Sequence, residues 1–144
     1  MSRASFSPGR LLGVDFGTVR VGLAVSDPDR IIASPFETHV RKDAASDAVY
    51  FVKLVAAEKI VGLVVGLPLH TGGEEGIKAK EAREYGAWLS QATGLPLVFW
   101  DERCTTAAAE DALRDAGFSH RKRRDRRDRV AAQLILQGYL ENNP

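Results

Sequence analysis

The feature that most constrains this chain is segment 11–27, LLGVDFGTVRVGLAVSD, where an apolar run ends on Asp15 and is followed at once by Phe16-Gly17-Thr18. Leu11, Leu12, Gly13 and Val14 offer too little polarity for an exposed edge, so they predict a central strand covered on both faces. Gly17 supplies a backbone conformation that side chains resist, and the chain can turn back there. Val19, Val21, Leu23 and Val25 then alternate with Arg20, Gly22, Ala24 and Ser26, the period-two pattern of a second strand that closes a hairpin with the first. Asp15 therefore stands at the end of a buried strand. An unpaired carboxylate there costs several kcal/mol, so it must be paired, hydrogen-bonded, neutralised or bound to a cation. Asp27-Pro28, at the far end of the hairpin, reads as an ordinary turn.

Beyond the hairpin, Ile31-Ile32-Ala33 predicts a short third strand broken by Pro35 before Phe36. Asp43 offers an N-cap to a helix in which Val49, Val52, Leu54, Val55 and Ala56 recur at helical spacing through Glu58. IVGLVVG at 60–66 is a continuous apolar run of the kind a buried parallel strand needs, and it leads into the polar, glycine-rich loop LHTGGEEG. A helix over 77–92, a strand at Leu97–Trp100 ending on Asp101-Glu102-Arg103, an alanine-rich helix from Thr105 to near Gly117 and a last helix from about Asp125 to Leu140 complete the pattern. The order predicts an α/β fold, a mixed sheet flanked by helices. With 144 residues, 44% of them hydrophobic, the chain has room for one well-cored domain, expected over 10–144 behind a flexible tail at 1–9.

Net charge is only +1, but its distribution is uneven. RKRRDRRDR at 121–129 carries a local +5, so the remainder of the chain carries −4. Such a run is usually a solvated face. Here it immediately precedes Asp128, where a phosphate backbone would have to pass if that residue is catalytic, and Arg124 and Arg127 are the candidate contacts. A single cysteine, Cys104, excludes an intrachain disulfide and fits a reducing compartment. No window approaches the roughly 20 apolar residues of a membrane span. Residues 1–10 also lack the apolar core of a secretory signal, so a cytoplasmic protein with no membrane partner is expected.

On the last helix, Ala131, Ala132, Ile135 and Tyr139 lie three, four, seven and eleven residues after Asp128 and share its face. That face packs on the sheet, so Asp128 points inward at the first turn, while Arg126, Arg127 and Arg129 point elsewhere. A negative residue at a helix start can merely complement the helix dipole. Together with Asp15 and Glu102, however, Asp128 makes a third carboxylate at the ends of neighbouring elements. Without a cation such a trio repels and raises at least one pKa; one or two divalent metals would satisfy all three. Oxygen-only ligands favour Mg²⁺ or Mn²⁺, and the scattered His39, His70 and His120 show no zinc-binding spacing. Trp88 and Trp100 read as core residues rather than base-stacking platforms.

GVDFGTVRVGLAVSD, VVGLPLHTGGEEG, DERCTTAAAE and DRVAAQLIL, in that order and spanning nearly the whole chain, resemble the YqgF (RuvX) family of Holliday junction resolvase-like proteins and pre-16S rRNA nucleases. The resemblance implies a ribonuclease H-like fold with a mixed five-stranded sheet and a metal-dependent phosphodiesterase site. The family's acidic residues fall on Asp15, Glu102 and Asp128, which are thereby expected to be catalytic and to bind two ions. Two positions depart from the family pattern: His70 stands where Asn is common, and Cys104 where Leu is usual. As substrate contacts we expect Thr18 and Arg20 beside the hairpin turn, His70 in the 67–76 loop, and Arg103, which either clamps a phosphate or pairs with Asp101. Gly72-Gly73 can bring backbone N–H groups to a phosphate.

The expected partner is RNA, with branched DNA as the alternative, acted on by a monomer or homodimer. Two other readings compete. Asp-x-Gly-Thr also resembles the first phosphate loop of actin-like ATPases and sugar kinases, but that fold needs two such domains and a second phosphate loop. A non-catalytic nucleic-acid-binding factor would keep the fold without needing all three acids.

Overall fold

Among the described residues, five strands form one mixed sheet in which a single strand runs against the other four. The computed structural model describes residues 6–104 and 120–143, with Cys104 and residues 120–125 described by backbone alone. In chain order the elements are β1 (Arg10–Asp15), β2 (Arg20–Ser26), β3 (Ala33–Val40), α1 (Ala44–Ala57), β4 (Ile60–Leu67), α2 (Ile77–Thr93), β5 (Leu97–Asp101), a 3₁₀ turn (Glu102–Cys104) and α3 (His120–Asn142). The strand order is β3-β2-β1-β4-β5. β1 pairs antiparallel with β2, and β2 with β3, while β1, β4 and β5 run parallel. The expected hairpin, the two buried parallel strands and the mixed five-stranded sheet are all present. The alanine-rich helix expected from Thr105 lies outside the described residues.

Successive residues of β1 feed opposite cores, as period two requires. Leu12 and Val14 join Val21, Leu23, Leu63 and Val65 beneath α1 and α2, where Phe51, Tyr85 and Leu89 meet them. Leu11 faces the other way, with Ala24 and Val64, onto Ala132, Ile135, Leu136 and Tyr139 of α3. The result is three layers, with α1 and α2 on one face of the sheet and α3 on the other. Burying a side chain of this size contributes about 1.5–3 kcal/mol, so these two clusters are the main source of stability.

Helix α1 starts where expected: the Asp43 side chain accepts from the Ser46 N–H at 2.8 Å. Helix α2 ends on Gly94, whose φ of 72° is the left-handed cap conformation. Two boundaries differ from the sequence reading. β3 is not broken by Pro35 but runs through it, because β3 is an outer strand and the register shifts opposite Leu23/Ala24, where an extra residue is accommodated. Ile31 and Ile32 precede that strand and are exposed, at 71% and 59%. Their N–H groups donate to Asp27 Oδ1 at 2.7 and 2.8 Å, the turn role expected of Asp27. The second difference is α3, which starts at His120 rather than near Asp125, so the backbone of the basic run is helical rather than a loose leader.

Under α1 lies a polar pair that the sequence did not announce. Asp47 is 4% exposed, and its Oδ1 meets His39 Nε2 at 2.9 Å while also accepting from the Lys42 N–H at 3.1 Å. The His39 ring stacks on Tyr50 with centroids 4.0 Å apart. This cluster ties the end of β3 to the first turn of α1.

Candidate active site

The site is built around Asp15 by two glycines. Asp15 pairs with Gly22 of β2 across the antiparallel ladder, and Gly66 of β4 stands one step beyond the Val14–Val65 pair on the parallel side. A Cβ on Gly22 would overlap the backbone of Asp128. A Cβ on Gly66 would overlap Ile135 Cδ1 and come within 2.9 Å of Glu102 Oε2. Gly13, one pair further along the same face, is likewise covered, with a Cβ there 2.7 Å from the Leu136 Cβ. The notches let α3 lie directly on the sheet and let Glu102 reach over the end of β4. Asp128 and Glu102 are thereby brought to either side of the β1 carboxylate.

Asp15 and Glu102 line one cleft of about 350 Å³, together with Thr18, Pro68, Lys78 and Glu81. Among the described residues no donor reaches the Asp15 carboxylate. Its burial, then the neighbouring Glu102, then Asp128, push its pKa up from 3.8 to about 8. Glu102 is raised as well, first by burial and then by Asp101. Asp128 is differently placed. Its Oδ2 takes Arg20 Nε at 3.0 Å, an ion pair in which both side chains are about one-quarter exposed. With that carboxylate turned to Arg20, no group of three His, Cys, Asp or Glu side chains among the described residues stands at metal-holding geometry. The donor chemistry still fits a hard divalent cation. Asp15 is an oxygen ligand with no donor among the described residues, its pKa raised first by burial, and Glu102 faces the same cleft.

The other residues expected in the site are dispersed. Thr18 is exposed in the cleft wall. Arg20 is engaged with Asp128 rather than open to the cleft. Arg103 takes the pairing alternative: Nη2 meets Asp101 Oδ2 at 2.6 Å, and Nη1 donates to the Thr71 carbonyl at 3.0 Å, pinning the glycine-rich loop to the end of β5. His70 is exposed in that loop, its N–H donating to the Glu74 carbonyl, and it does not line the cleft. Arg127 is exposed on α3, whereas the side chains of Arg124 and Cys104 lie outside the described residues. Asp128 itself sits eight residues inside α3, not at its first turn, so complementing a helix start does not account for it.

Sequence reading missed Lys78 and Glu81, which only the packing of α2 brings to the cleft, and Gly22 and Gly66, whose role lies in what they leave out. The one available signal was that both glycines interrupt largely apolar strands, a mark of close approach.

Comparison with known proteins accords with this geometry. Residues 9–142 match the family described as "RuvX: Holliday junction resolvase". A relative from Rhodopirellula baltica, bearing the name "Putative pre-16S rRNA nuclease", is 48% identical over 133 residues, 92% of this chain and 77% of that one. Relatives of the same name from Koribacter versatilis and Rhodobacter capsulatus are 42% and 44% identical, covering 98% and 92% of this chain and 92% and 84% of their own. Among solved structures, Thermus thermophilus RuvC in complex with a Holliday junction substrate superposes with a TM-score of 0.57 at 15% identity, over 93% of this chain and 96% of that one. That likeness bears out the ribonuclease H-like fold. A family match over nearly the whole chain, with relatives above 40% identity, leads to one conclusion: the chain belongs to the RuvX family.

Proposed function

We propose that this protein is a metal-dependent nuclease that hydrolyses phosphodiester bonds of structured RNA, with the 5′ region of precursor 16S rRNA as its substrate, in the cytoplasm. The observation that carries the reading is Asp15, a carboxylate at the end of a buried strand with no donor among the described residues and two further carboxylates beside it. A structural role would have supplied that group with a partner, as it does for Asp47. The names of the relatives, pre-16S rRNA nucleases, support the substrate.

Asp15 and Glu102 would hold the cation, with Asp128 joining them on release from Arg20. Bound there, Mg²⁺ or Mn²⁺, as one or two ions, supplies water activation and charge stabilisation at the phosphate. The chain supplies the rest. Gly22 and Gly66 set the spacing of the acids. Helix α2 begins with no side-chain cap and no acid in its first turn, and Lys78 on that turn lines the cleft, so N–H groups and an ammonium face the place where a phosphate would lie. Arg127, exposed on α3, offers the strand a salt-dependent backbone contact.

The test is cleavage of a labelled precursor-rRNA 5′ fragment, an unstructured RNA and a four-way DNA junction in Mg²⁺, Mn²⁺ or EDTA, by wild type and Asp15→Asn. Metal-dependent cutting of the precursor that vanishes in the variant is expected. Preference for the junction would move the substrate to branched DNA, the polymer in the family's description. Binding without cutting on every substrate would make the protein a non-catalytic binding factor.

A further inference from the structure

A second hollow, of about 330 Å³, opens on the α1–α2 side of the hairpin turn and shares Phe16 and Glu81 with the Asp15 cleft. Its walls are planar groups. Phe16 and Tyr85 lie with centroids 4.9 Å apart, and Tyr85 and Trp88 5.4 Å apart. The Arg41 guanidinium sits 5.2 Å from the Phe16 ring centroid and 5.1 Å from that of Tyr85, held there by the Gly17 and Thr18 carbonyls, to which its Nη1 donates. Trp88, expected as core alone, packs partly on the core and partly lines this hollow.

One polar group here lacks its complement. Tyr85 is 7% exposed and lines the hollow, and its hydroxyl is buried with no hydrogen-bond partner among the described residues. Buried hydroxyls are normally satisfied, so one left open beside a cavity marks a place for a ligand's polar atom. The charged groups at the hollow are mixed, Arg41 and Lys42 standing beside the acids. Asp47 is occupied by His39 and the Lys42 N–H, but Glu81 and Glu84 also line the space. Their carboxylates accept ring or exocyclic N–H groups. Planar walls, a stacking guanidinium, N–H acceptors and a volume near the low end of ligand sites together describe a nucleobase.

Resting on the nuclease reading, we propose that this hollow takes one unpaired base of the bound strand, flanking the phosphate at Asp15. Phe16, common to both spaces, then separates base from phosphate. The subsite confers a requirement for an unpaired nucleotide beside the cut and discriminates against continuous duplex.

Binding is measured with cleavage disabled, in an Asp15→Asn, Trp100→Phe background, so that of the chain's two tryptophans only Trp88 emits. Trp100 packs on Tyr139 at the opposite face of the sheet. Anisotropy of a labelled strand reports total binding, and Trp88 emission reports the hollow. A single-stranded RNA should quench Trp88 in step with anisotropy, whereas the same sequence as a duplex, or with an abasic nucleotide at the flanking position, should bind without quenching. Adding Tyr85→Phe should weaken single-strand binding about three- to tenfold while leaving the melting temperature equal or higher, since it removes a hydroxyl that is unsatisfied in the free protein. Strand binding that leaves Trp88 emission unchanged, or Tyr85→Phe without effect on affinity, overturns the subsite and leaves the nuclease reading standing. Quenching by free mononucleotide at the same concentration as by the strand overturns it in favour of a small-molecule site. Absence of any nucleic-acid binding removes both readings together.

Discussion

Asp47 is buried and Asp15, partly buried, lines the cleft, and the surroundings of these two aspartates differ in kind. Asp47 has the His39 ring on one oxygen and the Lys42 N–H within reach of both, and it closes the junction of β3 and α1. Asp15 has no donor among the described residues, and its neighbours Glu102 and Asp128 are carboxylates that oppose its ionisation. A satisfied buried carboxylate stabilises the fold; an unsatisfied one costs stability and persists where something outside the chain completes it. Stability and function are thus readable from the partners of two chemically identical side chains.

The comparison breaks most sharply by mutation. Asp15→Asn should lower cleavage at least about a thousandfold while leaving the melting temperature at or above that of wild type. Asp47→Ala strands His39 and the Lys42 N–H and should destabilise by about 3–5 kcal/mol, read by denaturant titration, with activity of the folded fraction retained. An Asp15→Asn variant that melts well below wild type would erase the distinction.

Next in size is pH. Asp15 has a folded pKa near 8 against 3.8 in the ordinary state, so the folded protein binds the extra proton between those values. Stability of the metal-free protein should therefore be fullest below about pH 4 as far as this group is concerned, and fall as pH rises towards 8, on the order of a few kcal/mol in total. Urea titrations across that range should show the decline in wild type and a flatter profile in Asp15→Asn.

Gly22→Ala tests the architecture. The added methyl overlaps the Asp128 backbone, so α3 must lift, costing about 1–3 kcal/mol and reducing kcat more than strand affinity. The smallest effect is expected of Arg20→Ala. Losing a partly exposed pair should cost at most about 1 kcal/mol, and with Asp128 released, Mn²⁺ should bind more tightly by calorimetry.

These contrasts also mark how far the sequence could be read. Asp15 was visible because an apolar strand runs straight into it, and the hairpin, the buried β4 run and the Asp43 cap follow local rules that neighbours decide. Glu102 and Asp128 look like turn and helix-end residues by themselves; helical spacing turns Asp128 inward, and the four ordered motifs single out both as members of the family's acidic trio. Arg20, expected as a substrate contact, is paired with a residue 108 positions away, and no local pattern foretells such a pair. The start of α3 was set too late because the charge run obscured its helical periodicity. Gly22 and Gly66 act through atoms they lack and show only as breaks in apolar strands, and nothing local marks the Tyr85 hydroxyl, which has no partner among the described residues.

The most direct test of the account is a thermal melt at pH 8 with increasing Mn²⁺, comparing wild type with Asp15→Asn. If Asp15 is the carboxylate that a cation completes, the wild-type midpoint rises with the logarithm of metal concentration above its dissociation constant, while the variant stays flat. Equal shifts in the two proteins, or no shift in wild type, would contradict it.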